Sequence, residues 1–296
     1  MANTKQVKTK IKSVKNLQKI IKALEIVSTV KLQKLKAVME SYRAFMGSFL
    51  NVLKRVRKEV NIFDFDEKLW NPQGRRLLIV VTSDRGLCGA INSRIFRRME
   101  QNYGQAKDNV DIFVVGKKGV EYFVRNGWNV VGSAMITDKV EVEEIKPITL
   151  YIKQALLEKK YAKVKIYFNF FKNTMTQIFT RFKLYPLDEE SFDSFLRNVG
   201  LEDNSLESID EKYLMIEPSK EEFKFEFLNL LIRHIIYSAV VNNKTTEHAA
   251  RMLAMKNAKD NCSDVLGELN LLYNKTRQGK ITQEISEIVS AKIAIE

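Results

Sequence analysis

The segment most suggestive of chemistry is SDRGLCG, Ser83 to Gly89, which directly follows the aliphatic run Leu77 to Val81. Nucleotide-binding α/β folds carry their phosphate-binding turn at this place. SDRGLCG lacks both the G-x-G-x-x-G spacing and the Lys-Ser/Thr ending of a P-loop, so its backbone amides and a lysine are not arranged around a phosphate. We therefore interpret it as a structural turn and expect no cofactor.

Cys88 and the two histidines are the remaining candidates for nucleophilic or metal chemistry. No histidine near Cys88 in the sequence is available to activate it, so we expect a buried small residue. His234 and His248 are fourteen residues apart on a predicted helix, whereas a helical metal pair needs a spacing of about three or four. No paired carboxylates or triad have suitable spacing either, so we predict no catalytic residues and no metal site.

Composition limits the class of protein. The 296 residues are 45% hydrophobic, which is enough for a real core, and the net charge of +13 predicts acidic surroundings: nucleic acid, an anionic membrane surface or acidic partner proteins. The two cysteines suggest no disulfide framework, and a reducing compartment fits best. The longest aliphatic run is far shorter than a membrane span, and the N-terminus has no apolar signal core. We expect no export and only peripheral membrane association.

A seven-residue repeat dominates the N-terminal region, residues 1–60. Eleven of its thirteen core positions are apolar, which is typical of a long coiled-coil helix. Ser28 and Lys31 are the exceptions, and they either serve register alone or mark a place where the seam loosens or meets a partner. The two series of predicted core positions are Val14, Ile21, Ser28, Leu35, Tyr42, Phe49 and Val56, and Leu17, Leu24, Lys31, Val38, Phe45 and Val52.

Residues 74–187 have a different pattern, which predicts a Rossmann-like α/β domain with a mostly parallel sheet. Proline and glycine between residues 61 and 74 mark its start. The predicted strands are LLIVVTS (77–83), DIFVVG (111–116) and KVKIYFNFF (163–171), with TQIFTRFKLYP (176–186) as a further edge strand; the predicted helices lie around 94–103, 117–125 and 142–159. Residues 188–217 are acidic and weakly periodic, and we expect a surface segment there.

The C-terminal region, residues 218–296, has no proline after Pro218, which suits the first turn of a helix. A helix from Ser219 to Ser290 would be on the order of 100 Å long at ~1.5 Å per residue. No globular domain contains such a length, so the N-terminal helix must cover part of it. We predict an antiparallel coiled coil of the N- and C-terminal helices, with the Rossmann-like α/β domain inserted between them.

Three segments carry a specific resemblance to a known family. They are IKSVKNLQKIIKALE (11–25), SDRGLCGAIN (83–92), and EHAARMLAMKNAKDN (247–261) with its continuation LLYNKTRQGKITQEISEIVS to Ser290. In order and spacing they resemble the gamma subunit of F-type ATP synthases. The chain departs from the family pattern at Leu24 and Ile26, where methionines are usual, and at Ala291 and Lys292, which replace a terminal Gly-Ala.

The resemblance implies a non-catalytic rotor shaft inside a hexamer of alpha and beta subunits, with the α/β domain joining the epsilon subunit and the membrane ring of c subunits. It also implies a peripheral place on the cytoplasmic face of a bacterial membrane. Four polar residues match the family's contacts with beta subunits: Arg251, Gln278, Thr282 and Glu284.

Two other classes of protein remain as alternatives. The basic start of the chain, with seven lysines before Glu25, fits a nucleic-acid-binding coiled coil, although it lacks interleaved aromatic residues for base stacking. An enzyme built on the α/β domain is the third possibility. We favour the rotor and expect no nucleic-acid partner.

Overall fold

The computed structural model describes residues 4–56, 59–61, 63, 71–198 and 215–295. The chain forms two compact units, one of residues 1–29 with 251–296 and one of residues 30–250. Two helices, α1 (Thr4–Val56) and α6 (Lys220–Ile293), are long enough to contribute to both.

Helix α6 begins where the sequence provides a start signal. The Ser219 hydroxyl accepts a hydrogen bond from the Glu222 backbone N–H at 3.2 Å, and Glu221 and Glu222 occupy the first turn. A capping hydroxyl satisfies an otherwise unpaired amide, and carboxylates at this end interact favourably with the helix dipole. Helix α6 then continues for 74 residues through two glycines, because no proline interrupts it.

Helices α1 and α6 run antiparallel in each unit. In the smaller unit, the Gln18 side chain donates a hydrogen bond to the Ser263 hydroxyl at 2.9 Å, and Lys259 donates one to Glu25 at 2.8 Å. Residue numbers therefore rise along α1 as they fall along α6. In the larger unit, Tyr42 donates to the His234 carbonyl at 2.5 Å, and the Phe49 ring stacks on Phe227 with centroids 4.8 Å apart. The predicted antiparallel coiled coil is therefore confirmed.

The buried stripe of α1 differs from the predicted seam in one respect. The first series of positions is buried or half-buried, but three members of the second series, Leu17, Phe45 and Val52, are about half exposed. In the larger unit, Leu32, Met46 and Leu53, each one residue further on than the second series, are buried instead. The physical reason there is that Met46 and Leu53 join one core with both α6 and the sheet, which shifts the buried stripe.

The sheet confirms the predicted Rossmann-like topology. Its strands are β1 (Arg75–Val81), β2 (Val110–Val115), β3 (Asn129–Ala134), β4 (Tyr161–Phe171) and β5 (Gln177–Tyr185), in the order β3-β2-β1-β4-β5. The first four are parallel and β5 is an antiparallel edge strand. The sequence pattern did not reveal β3, because this short strand is mostly half-exposed and has no continuous apolar run.

Helices cover both faces of the sheet. Helices α2 (Ile91–Tyr103) and α3 (Lys117–Arg125) pack on one face around Leu78, Val80 and Tyr167. On the other face, α4 (Lys146–Leu157) and parts of α1 and α6 share a core with Leu77 and Ile79. This second face joins the inserted domain to the helices of residues 30–250.

The first part of the acidic region is helical and contributes to the core. Helix α5 (Glu189–Asn198) buries Phe192 and Leu196 in the same cluster as β5. Residues 199–214 of the predicted surface segment lie outside the described residues.

Candidate functional site

The four residues expected to contact beta subunits all lie on α6, in the smaller unit. Gln278, Thr282 and Glu284 are exposed, whereas Arg251 is only 8% exposed. Arg251 precedes Gln278 by 27 residues, or about 40 Å of helix at ~1.5 Å per residue. The structure therefore places three of the four on an accessible helix end and the fourth in a largely buried position far along the same helix.

The exposed three do not form one cluster. The Thr282 hydroxyl donates to the Gln278 carbonyl at 3.0 Å, so these two residues lie one turn apart on one side of α6. Glu284 is two residues beyond Thr282, which turns it about 200° around the helix, and it pairs with Lys280 at 3.4 Å. Contacts through Thr282 and through Glu284 would therefore be made with different sides of the helix end.

The same helix end also carries an apolar stripe that was not predicted from the sequence. Every residue from Arg277 to Ile295 is exposed, including Ile281, Ile285 and Ile288. Their spacing of four and three residues places them on one face. The i, i+4, i+7 pattern in ITQEISEI was the available signal, but hydrophobic periodicity alone does not tell whether the face is covered within the chain or by another protein.

The middle of α6 is buried on all sides, although it is rich in polar residues. Every residue from Ile235 to Arg251 is buried. Asn243 Oδ1 accepts from both the backbone N–H and the side-chain amide of Asn169 on β4 at 3.1 Å, and the Thr246 hydroxyl donates to the Asn169 carbonyl at 3.2 Å. Strand β1 pairs with β4 only as far as Tyr167. Side chains of α6 therefore bond to the part of β4 beyond its pairing with β1.

Two charged contacts also join this stretch of α6 to loops of the sheet domain. Lys244 is 5% exposed and pairs with Asp84 of the SDRGLCG turn at 2.7 Å. His248 Nε2 lies 3.0 Å from Asp138, which also pairs with Lys31 of α1. Lys31, one of the two polar seam positions, thus meets a partner within its own chain.

These contacts affect the acidity of Asp138. Partial burial acts to raise the pKa of this carboxyl, but hydrogen bonds from Lys31 and His248, together with their charges, outweigh it and lower the pKa to about 2. The carboxylate is therefore charged at neutral pH and available to both partners.

The SDRGLCG turn is held by hydrogen bonds within itself and to α2. Asn92 of α2 accepts from the Ser83 backbone N–H at 3.1 Å, while its side-chain amide donates to the Ser83 hydroxyl at 2.6 Å. Leu87 and Gly89 adopt positive φ angles of 61° and 63°. Cys88 is buried, as expected, and packs with Ala250 of α6. The geometry is that of a turn docked against α2 and α6.

The histidines lie in separate surroundings. The His234 ring packs against Phe45 and Phe49, with centroids 4.7 and 5.6 Å away, and burial lowers its pKa. Within the described ranges, no three or more His, Cys, Asp or Glu side chains are grouped to hold a metal ion. None of the described helices is long and apolar enough to cross a membrane.

Comparison with solved structures identifies the class of this fold. A rotor chain of the Euglena gracilis mitochondrial ATP synthase aligns with a TM-score of 0.63 over 94% of this chain and 98% of that one, at 19% identity. A chain of the Tetrahymena thermophila central stalk and c-ring aligns with a TM-score of 0.59 over 81% and 99%, at 22% identity. The chain thus has the fold of ATP synthase central-stalk proteins.

Sequence comparison gives the family. The family described as ATP synthase matches residues 3–295. The ATP synthase gamma chain of Xanthomonas axonopodis pv. citri is 35% identical over 300 residues, and that of Stenotrophomonas maltophilia is 35% identical over 303, each alignment covering the whole of both chains. The chain belongs to the ATP synthase gamma chain family.

Proposed function

We propose that this chain is the non-catalytic central rotor shaft of an ATP synthase. It couples ion-driven rotation of a membrane ring of c subunits to conformational changes at nucleotide sites in a hexamer of alpha and beta subunits. Its α/β domain would join an epsilon subunit and the ring, and the complex would hold the chain peripherally at the cytoplasmic face of a bacterial membrane. Family membership over the full length supports the assignment.

The observation that carries the shaft role is the exposed end of α6. An isolated helix with isoleucines on one face and no cover is unfavourable in water, and such faces mark interaction sites. The end from Arg277 to Ile295 has no buried residue. Besides its apolar face, it carries the exposed polar residues Gln278, Thr282 and Glu284. A surrounding ring of subunits could cover every side of such a helix.

Rotation can act on the nucleotide sites only if the shaft makes different contacts in different orientations. A partner's equilibrium is shifted only by a difference in interaction free energy between its states. The end of α6 supplies that difference, because Thr282 and Glu284 lie on different sides and the isoleucine stripe lies on one face. Turning the helix would present unlike surfaces to each beta subunit.

Reconstituted complexes provide the test, with Arg251→Ala and the double variant Gln278→Ala/Thr282→Ala compared for ATPase rate and proton pumping. If Arg251 meets a carboxylate in a shielded interface, its loss should cost roughly 2–5 kcal/mol. Neutral hydrogen bonds from Gln278 or Thr282 should be worth about 0.5–1.5 kcal/mol each. Arg251→Ala should therefore reduce turnover more than Thr282→Ala alone and at least as much as the double variant.

Thr276→Ala is the matched control, since its hydroxyl also bonds to the carbonyl four residues earlier, at 2.8 Å. It should retain wild-type turnover. Because Arg251 is largely buried, its variant also needs a thermal melt of the isolated chain to separate lost coupling from lost folding. Wild-type ATPase and pumping in both site variants would refute the assigned contacts.

The isolated chain should neither bind ATP tightly nor hydrolyse it, because SDRGLCG lacks the spacing of a phosphate cradle. Stoichiometric ATP binding to the purified chain would contradict the non-catalytic role and favour the α/β enzyme.

A further inference from the structure

Five basic side chains occupy neighbouring positions on one face of the sheet; we call them the basic sheet patch. Backbone register places Arg76 of β1 beside Lys163 of β4, and Lys165 of β4 beside Lys183 of β5. Arg181 lies two residues from Lys183 and therefore on the same face. The patch consists of Arg76, Lys163, Lys165, Arg181 and Lys183.

The charges of the patch act on shared neighbours, as the strand register implies. The charges of Arg181 and Arg76 both act on the hydroxyl of Tyr167, which shares their face. The pKa of Lys183 is lowered by burial first and then by the charges of Lys163 and Lys165. Adjacent strands are about 4.8 Å apart and alternate residues about 6.8 Å apart, so each of the five positions lies within about 7 Å of the next and the whole patch extends over roughly 17 Å.

Among the described residues, little negative charge compensates the patch. Lys183 pairs with Asp188, and Glu190 acts on it from α5. In the part of the chain that the structure describes, the other four side chains have no carboxylate within ion-pair distance. Arg76, Lys163 and Arg181 are exposed and Lys165 is half-buried. Like charges held this closely repel each other, and a bound anionic group would relieve the repulsion.

We propose that the basic sheet patch binds a carboxylate-rich segment of a partner protein. The two arginines offer planar forks that suit carboxylates, and the three lysines add point charges. Acidic residues two apart on an extended segment repeat at about 6.8 Å, the spacing of Lys163 and Lys165 along β4.

The surroundings of the patch favour a protein over other anions. Small-molecule sites are concave and bury most of their ligand, whereas Arg76, Lys163 and Arg181 of this patch are exposed. Single-stranded nucleic acid is bound with exposed aromatic platforms, but Tyr167 and Phe179, which share this face, pack into the core against α2. Binding to a lipid surface usually combines basic residues with inserted apolar ones, and the five patch positions contain none.

A direct test uses the full chain, a fluorescent oligoglutamate peptide and anisotropy at low salt. The variant Lys163→Gln/Lys165→Gln/Arg181→Gln should weaken binding by about tenfold, because three of the five charges are lost. The matched control Lys8→Gln/Lys12→Gln/Lys19→Gln removes the same net charge from exposed positions of α1. It should change binding by less than about twofold. Thermal melts check that both variants fold.

Carbodiimide cross-linking of the wild-type chain to the same peptide gives a positional readout that needs no variant. Mass spectrometry should find the cross-links at Lys163, Lys165 and Lys183. Equal loss of binding in the two triple variants, or cross-links spread over α1, would overturn the proposal in favour of overall charge. Tighter binding to phosphatidylglycerol vesicles or to an oligonucleotide than to the peptide would overturn it in favour of those partners. None of these results bears on the rotor assignment, which rests on other residues.

Discussion

The middle and the end of α6 reverse the usual relation between polarity and burial. The buried middle contains the continuous polar run Asn242 to His248, whereas the exposed end carries Ile281, Ile285 and Ile288. In the middle, most of the polar side chains can be buried because β4 and two loops supply partners for them. At the end, the apolar groups are exposed because the described part of the chain provides no neighbour to cover them.

The comparison shows that the polarity of a residue in α6 does not decide whether it is buried; the neighbours available to it do. Burial of a polar group costs free energy unless a hydrogen bond or charge replaces water. The middle of α6 is therefore expected to be sensitive to loss of single polar atoms, and the end insensitive to change in the isolated chain. Four predictions test this contrast.

The largest effect is expected at the Lys244–Asp84 pair. Asp84→Ala removes the carboxylate 2.7 Å from the buried Lys244 ammonium and also the acceptor of the Lys117 backbone N–H at 3.1 Å. Breaking a buried pair leaves an uncompensated charge, and because Asp84 itself is 29% exposed we expect a loss of about 2–4 kcal/mol. Urea unfolding of the full chain measures it. The control Glu226→Ala, which breaks an exposed pair with Lys153, should leave the unfolding midpoint unchanged.

A smaller loss is expected at the amide contacts with β4. Asn243→Ala removes the acceptor of two hydrogen bonds from Asn169, whose backbone N–H and side-chain amide are then buried without a partner. We expect destabilisation by about 1–3 kcal/mol. Asn261→Ala changes an exposed asparagine on the same helix and should have no measurable effect in the same urea titration. Similar midpoints for the two variants would show that the contacts to β4 contribute nothing net.

The contacts of Asp138 should make the free energy of unfolding depend on pH. The folded pKa of about 2 lies below the ordinary 3.8, so the stabilisation is complete above about pH 4 and is lost as the pH falls through 2. Asp138 is 38% exposed, and solvent screening reduces the expected difference to about 1 kcal/mol. Asp138→Asn should lose less stability than the wild type between pH 4 and 2. Asp264→Asn, at an exposed site on α6, should retain the wild-type dependence; equal slopes in all three would contradict the assignment.

Much of this architecture was predictable, and the failures have physical causes. The long helices, their antiparallel pairing and four of the five strands follow from periodicity and from the absence of proline. Two members of the predicted second series, Phe45 and Val52, were wrong because α1 in the larger unit faces a sheet as well as a helix, a tertiary contact that a heptad does not encode. Strand β3 was missed because it lies at a half-exposed edge. The partners of Asn243 and Lys244 lie more than 70 residues away, beyond any local pattern.

The smallest effect is expected at the isoleucine stripe, and there the isolated chain and the complex should differ. Ile285 and Ile288 are 56% and 69% exposed, so Ile285→Ser/Ile288→Ser removes little buried surface and should change the free energy of unfolding by less than about 0.5 kcal/mol. An isoleucine-to-valine change at two sites of α6 gives a matched pair. Ile285→Val should not change the free energy of unfolding, whereas Ile235→Val, at a fully buried site, should lower it by about 1 kcal/mol.

Assembly of the complex is a separate measurement. If alpha and beta subunits cover the stripe, the double serine variant should form less complex with them in size-exclusion chromatography, because polar groups would replace apolar ones in the covered face. A loss of more than about 1 kcal/mol in the isolated chain would mean that the chain covers these residues itself, and wild-type assembly would mean that the hexamer holds another face of α6.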